Sequence, residues 1–154
     1  MSQPIALTSN EITDSTNKLS ILLANTYLLY LKTQNYHWNV VDRCFIALHE
    51  FFEDQYKELA KAVDDIAERI RILGSIAPAK FAVFLRLATL SEDDVATNSK
   101  EMLANLVKDH NSISRDLRGY IQSLGESSDE GSIDFFVNRL RAHEKIIWML
   151  RSHI

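Results

Sequence analysis

The chain of 154 residues has one cysteine, two prolines and four glycines. A single thiol, Cys44, excludes an internal disulfide and any cysteine cluster around zinc, and is expected of a chain kept in a reducing compartment such as the cytoplasm. So few helix breakers weigh against an all-β or α/β chain, because turns between many strands need glycine and proline. No apolar run approaches the roughly 18 residues of a membrane span, and Met1-Ser2-Gln3-Pro4 does not open a basic segment followed by an apolar core. The expectation is a protein that is neither membrane-bound nor exported. A formal charge of −4, with both signs interspersed, gives no strong pull toward nucleic acid or anionic lipid.

What is present is helix-forming. Hydrophobic residues make up 46% of the chain, enough for one core and too few for two ordinary domains, so 1–154 is read as a single domain with a short N-terminal segment, 1–10. From Glu11 to about Asn39, Leu19, Leu22, Leu23, Tyr27, Tyr30 and Leu31 recur at helical spacing, and Thr8 with Glu11 has the form of a capping box. A second helix is expected from about Phe45 to Leu73, stopped by Gly74. Phe81, Phe84, Leu85 and Leu87 suggest a short extra helix in the long connection that follows. A third helix is expected to open at Ser91 through Asp94 and run to Gly125, and a fourth to open at Ser127 and Glu130. The fold class is therefore all-α, an antiparallel four-helix bundle with a short helix between the second and third.

The second helix carries two pairs of metal-ligand type at i, i+4: His49 with Glu53, and Asp64 with Glu68. At about 100° per residue the four fall near 0°, 40°, 60° and 100°, on one stripe. Glu53 and Asp64, however, are about 16 Å apart along the axis, far beyond the roughly 2 Å reach of a metal ion. One helix cannot close such a site. Two copies packed antiparallel about a twofold axis near residues 58 and 59 would set His49 and Glu53 of one chain against Asp64 and Glu68 of the other, twice per dimer. His37, twelve residues before His49 across a short turn, could add a second imidazole. Two imidazoles with three carboxylates suit a divalent first-row metal, with Fe(II), Zn(II) and Mn(II) all admissible. On spacing alone the commoner explanation is a solvated helix face, and a histidine beside a tryptophan is more often a boundary residue than a ligand. His110, His143 and His153 show no comparable partners and read as structural or surface residues. No histidine has a glutamate three residues before it; those positions hold Gln34, Ile46, Val107, Leu140 and Leu150, which argues against an intrasubunit di-iron bundle or an ordinary 24-subunit ferritin.

The chain resembles the Dps family, small ferritin-like proteins of bacteria. The resemblance runs through His37-Trp38-Asn39-Val40, Phe45, Leu48-His49-Glu50, Glu53, Asp64, Ile66-Ala67-Glu68-Arg69 and Leu73-Gly74. It resumes at Ala77-Pro78, Asp94-Val95-Ala96, His143-Glu144-Lys145 and Trp148-Met149-Leu150-Arg151. It implies a hollow dodecamer built from twofold dimers, and a ferroxidase that oxidises Fe(II), preferably with hydrogen peroxide, and stores ferric mineral, protecting against oxidative damage. Iron would bind at an intersubunit site to His37, His49 and Glu53 of one chain and Asp64 and Glu68 of its mate. By the same resemblance Glu50 and Asp54 would nucleate mineral, Asp129 and Asp134 would line threefold pores, and Trp38 would lie beside the iron. An ordinary solvated face serves equally for Glu50 and Asp54, and Asp129 could instead cap the fourth helix. Two departures stand out. Asp42 replaces a glycine common in the family, which could make it a cap for the second helix. Residues 1 to 20 hold only Lys18 as a basic residue, so the alternative function, compaction of DNA by a lysine-rich tail, is expected to be weak or absent.

Overall fold

The computed structural model describes residues 5–92 and 96–154, which form α1 (Ser9–Asn39), α2 (Phe45–Ile72), α3 (Phe81–Leu87), α4 (Ser99–Ser123) and α5 (Glu130–Arg151), with no strand among the described residues. The capping box at the start of α1 is formed: the Thr8 side chain accepts the Glu11 amide and the Glu11 carboxylate accepts the Thr8 amide at 2.9 Å. Glu11 reaches further, accepting the Ser128 amide at 2.8 Å. That bond, followed by those from Thr8, holds its carboxyl down at about 2 and fastens the start of α1 to the α4–α5 turn.

α2 ends where Gly74 demanded. With φ at +86°, Gly74 donates to Arg71 and Ser75 donates to Ile70 at 3.2 Å, the paired bonds of a Schellman termination that only a residue tolerant of positive φ completes cheaply. At the other end the N-cap is Cys44 and no side chain caps α2, so Asp42 does not cap it as expected. Asp42 accepts the Cys44 amide at 2.7 Å in a turn before the helix and also bonds the Ser99 hydroxyl, tying the turn to α4.

Two expected helix starts differ. α4 opens at Ser99, eight residues after Ser91; Asp94, the other half of the expected box, lies outside the described residues. The chain before it is drawn onto α1 instead of coiling: Asn25 Oδ1 accepts the Thr89 amide at 2.8 Å and Lys32 donates to the Ser91 carbonyl at 2.7 Å. Asn98 is the cap that works, accepting the Glu101 amide at 3.0 Å. α5 is capped by Asp129, which accepts the Ser132 amide at 3.1 Å, while Ser127 merely accepts the Asp129 amide.

The helices pair antiparallel as α1 with α2, α4 with α5, α1 with α4 and α2 with α5. The cross-helix pairs show the sense: Lys32 meets Asp109 and Tyr36 meets Asn105, so numbers rise on α1 as they fall on α4. Leucine, isoleucine and phenylalanine fill the centre, with Leu19, Leu22, Leu29, Phe52, Leu59, Ile66, Ile113, Leu117 and Phe136 fully buried. Truncating one such aromatic to alanine costs about 3–5 kcal/mol. A buried ion pair, Lys32 with Asp109 at 2.7 Å, crosses between α1 and α4 through this core.

Candidate metal centre

The end of α1 and the start of α2 form a tight antiparallel corner, and two of the expected ligands meet there. The rings of His37 and His49 stack, 3.8 Å between centroids and 18° from parallel. His37 Nδ1 lies 2.8 Å from the His49 carbonyl, and His49 Nδ1 lies 2.8 Å from the His37 carbonyl. A carbonyl can only accept, so each Nδ1 carries a proton and donates it. A neutral imidazole holding its proton on Nδ1 has its lone pair on Nε2. The reciprocal bonds therefore fix both tautomers and leave two parallel rings each presenting an Nε2 lone pair, the outer-shell arrangement that orients histidine ligands at metal sites.

Aromatic neighbours hold the pair. Phe45 stacks on His49 at 5.0 Å, and Tyr56 packs edge-on to His37 at 5.2 Å and to Tyr30 at 6.0 Å. His37 is buried and His49 half-buried, whereas Trp38 is 62% exposed. Glu53, one turn beyond His49, is gripped by Lys57 at 2.5 Å; that hydrogen bond and charge, with smaller contributions from the two imidazoles, lower its pKa.

Asp64 and Glu68 are exposed on the same helix, about three and four turns beyond Glu53. They take no part in the His37–His49 corner, and among the described residues of one chain no three histidine, cysteine or acidic side chains converge on a point. Glu50 and Asp54 are exposed. Asp134 is exposed and accepts from Asn138 at 3.0 Å. Asp129 behaves differently: it is buried, caps α5 and receives Arg69 at 2.6 Å. Gly131 makes room for this, because a Cβ there would lie 2.8 Å from the Arg69 guanidinium. Burial raises the Asp129 pKa, but the Ser132 and Arg69 contacts outweigh it and the carboxyl ends below its usual range. Its carboxylate is thus engaged with the cap and Arg69 within the chain.

Two features of this site carry no pairing signal in the sequence: the exchange of carbonyls between the histidines, and Tyr56 against His37. Lys57 stands four residues after Glu53, a spacing that marks an ion pair on a helix. Tyr56 does fall on the expected stripe, about 20° from His49, but aromatic positions on a bundle helix are read first as core.

The family model of the ferritin-like domain matches residues 16–154, and the chain is a ferritin-like protein. It is 42% identical over 153 residues to a low temperature-induced protein of Nostoc sp., covering 97% of this chain and 85% of that protein. It is 32% identical over 132 residues to the DNA protection during starvation protein of Brevibacillus brevis, covering 86% and 89%. Its fold is similar to the Dps protein of Vibrio cholerae O1, described as a member of a broad superfamily of ferritin-like diiron-carboxylate proteins, with a TM-score of 0.92 at 29% identity over 99% and 96% of the two chains. DpsC of Streptomyces coelicolor gives a TM-score of 0.94 at 26% identity, over 99% and 90%. The chain belongs to the Dps family.

Proposed function

We propose that this protein is a ferroxidase that binds Fe(II) between two copies of itself, oxidises it with hydrogen peroxide and stores the ferric product inside a hollow dodecamer in the cytoplasm. The observation that carries this reading is the stacked His37–His49 pair with both Nδ1 protons committed to backbone carbonyls. Two pre-aligned lone pairs on one side of a corner are an incomplete coordination set, and the missing donors are carboxylates. Glu53 supplies one from the same chain. Asp64 and Glu68 lie about 16 Å and more along the same axis, so they complete the set only when a second α2 lies antiparallel on the first. Exposed apolar side chains near this face, Ile72, Ile76, Phe81 and Leu85, are what such a dimer would cover.

The chemistry follows from the donors. Neutral imidazoles hold Fe(II) without surplus charge, and carboxylate oxygens favour Fe(III) as it forms. Two irons giving one electron each would reduce a peroxide to water without releasing a hydroxyl radical. Lys57 must give up Glu53 for the site to fill. Glu50 and Asp54 would take the ferric product at the cavity wall, and Asp134 would attract cations near a pore. Binding of DNA would be minor here, although several relatives are named for DNA protection during starvation, because Lys18, the one basic residue of the first 20, is already held by Asp14.

Particle mass and iron content test the reading together. A dodecamer should form and, given Fe(II) and peroxide, consume about two irons per peroxide while building a ferric core. Wild-type oxidation rates in the His49→Ala and Asp64→Ala variants would overturn the assignment of the site. A shift of DNA mobility on gels that survives physiological salt would overturn the ranking of functions.

A further inference from the structure

The bundle contains a second pair of histidines. His110 on α4 and His143 on α5 are 1% and 0% exposed, and their Nδ1 atoms lie 2.7 Å apart. The rings are tilted by 51° with centroids 5.0 Å apart. A contact of that length between two ring nitrogens is a hydrogen bond only if one carries the proton and the other does not. The acceptor ring is therefore neutral, and when the donor is neutral too the two rings are opposite tautomers. Burial and the neighbouring Arg139 favour the same state, holding His110 down at about 3 and His143 well below its ordinary range.

The charged groups around the pair are otherwise occupied. On α4, Asp109 is turned to Lys32 of α1 at 2.7 Å. On α5, Arg139 is paired with Glu58 of α2. That bridge sets the register of α2 against α5, so Gln55 comes opposite residues 142 and 143. Both carboxylates, Asp109 and Glu58, are thus engaged with cations and not with the rings. Yet three buried polar atoms at this level lack a partner among the described residues: His143 Nε2, Arg139 Nε and Gln55 Oε1. Of the three, Gln55 lines a cavity of about 380 Å³ between α2 and α5, with Glu58, Ala142, Lys145, Ile146 and Met149. Buried polar atoms without a protein partner are ordinarily met by water, and water at Gln55 would bring protons to the level of the pair.

We propose that His110 and His143 form an acid-sensitive latch between α4 and α5, closed while both rings are neutral and opened when both take up protons. The first proton can go to the outward Nε2 of the donor ring and leave the bond in place. The second places an N–H on both facing nitrogens, and the bond becomes a repulsion. The sign is as follows. An unfolded histidine titrates near 6.5, whereas the folded pair resists protonation, so below that pH the unfolded chain binds up to two more protons. Stability from the latch is complete above about pH 7 and is lost as pH falls.

The test compares urea unfolding of the assembled protein with that of the His110→Phe/His143→Leu double variant between pH 7.5 and 5. Two ordinary histidines suppressed in the folded state raise the unfolding constant per chain by about 1,000-fold over that interval. The wild-type curve should fall away from the variant's by that factor. A difference below about 30-fold, the contribution of a single histidine, overturns the latch. Should the double variant fail to fold, ring carbon shifts of the two histidines in the wild-type protein decide. Neutral rings at pH 5.5 in the folded chain support it, and titration near 6.5 without unfolding overturns it.

Discussion

The two histidine pairs of this molecule use the same side chain at similar separations for opposite ends. At the α1–α2 corner each ring spends its Nδ1 proton on the backbone of the other, so the pair has no bond between its rings and both Nε2 atoms are free to ligate. In the α4–α5 seam the rings spend Nδ1 on each other, and the outward nitrogen of His143 is buried with no partner among the described residues. The difference comes from what the helices offer. The close turn brings the His37 carbonyl, one of the last four of α1 and so without a partner in its own helix, and the spare lone pair of the His49 carbonyl within reach of the facing ring. The middles of α4 and α5 leave the two rings only each other. Proximity of two histidines therefore says little about metal; where their second nitrogens point says much.

The comparison can be broken from several sides. The largest effect should come from the supports of the deep pair. Lys32→Met takes the ammonium away from the buried Asp109 carboxylate, next to His110 in the chain, and should cost about 3–5 kcal/mol in urea unfolding. A loss under about 1 kcal/mol would mean that water reaches this seam freely. At the outer pair His49→Ala removes a proposed ligand, so peroxide-driven Fe(II) oxidation should fall by at least about 100-fold, beyond the loss expected when only an outer partner of a ligand is removed. Its stability should change little by comparison. His143→Leu alone should cost about 1–3 kcal/mol at pH 7.5, because it strands the His110 nitrogen, while the His110→Phe/His143→Leu pair should cost less than that single change. If the double variant is the weaker, the bond between the rings is not what matters, and their packing is.

The sequence shows the fold and the site unevenly, for physical reasons. Local chemistry is legible: the Thr8–Glu11 box and the Gly74 stop stand where composition puts them, because both depend on residues within one turn. The start of α4 is not, since Ser91 offers a plausible cap, while Lys32 and Asn25, some sixty residues earlier, bond the backbone of that segment. The stripe on α2 and its incompleteness in one chain follow from helical period and rise alone. The tautomers of His37 and His49 depend on how a turn closes, which no period encodes. His110 and His143 lie 33 residues apart on different helices, and nothing in either neighbourhood marks the other as its partner.

Lys57 makes the finest test of the outer pair. It is the cation on the ligand stripe nearest Glu53, and in the single chain it holds that carboxylate at 2.5 Å, where iron would have to be. The contact is exposed, and exposed pairs hold their partners weakly. Its removal should therefore favour metal, but only modestly: Lys57→Met should tighten Zn(II) binding, followed by calorimetry on the assembled protein, by no more than a few-fold. The gain should vanish when Glu53→Gln is already present, because a lysine that competes for one carboxylate has nothing left to compete for. Weaker binding on loss of Lys57 would reverse the reading, making the ammonium a support that aims Glu53 at the two imidazoles.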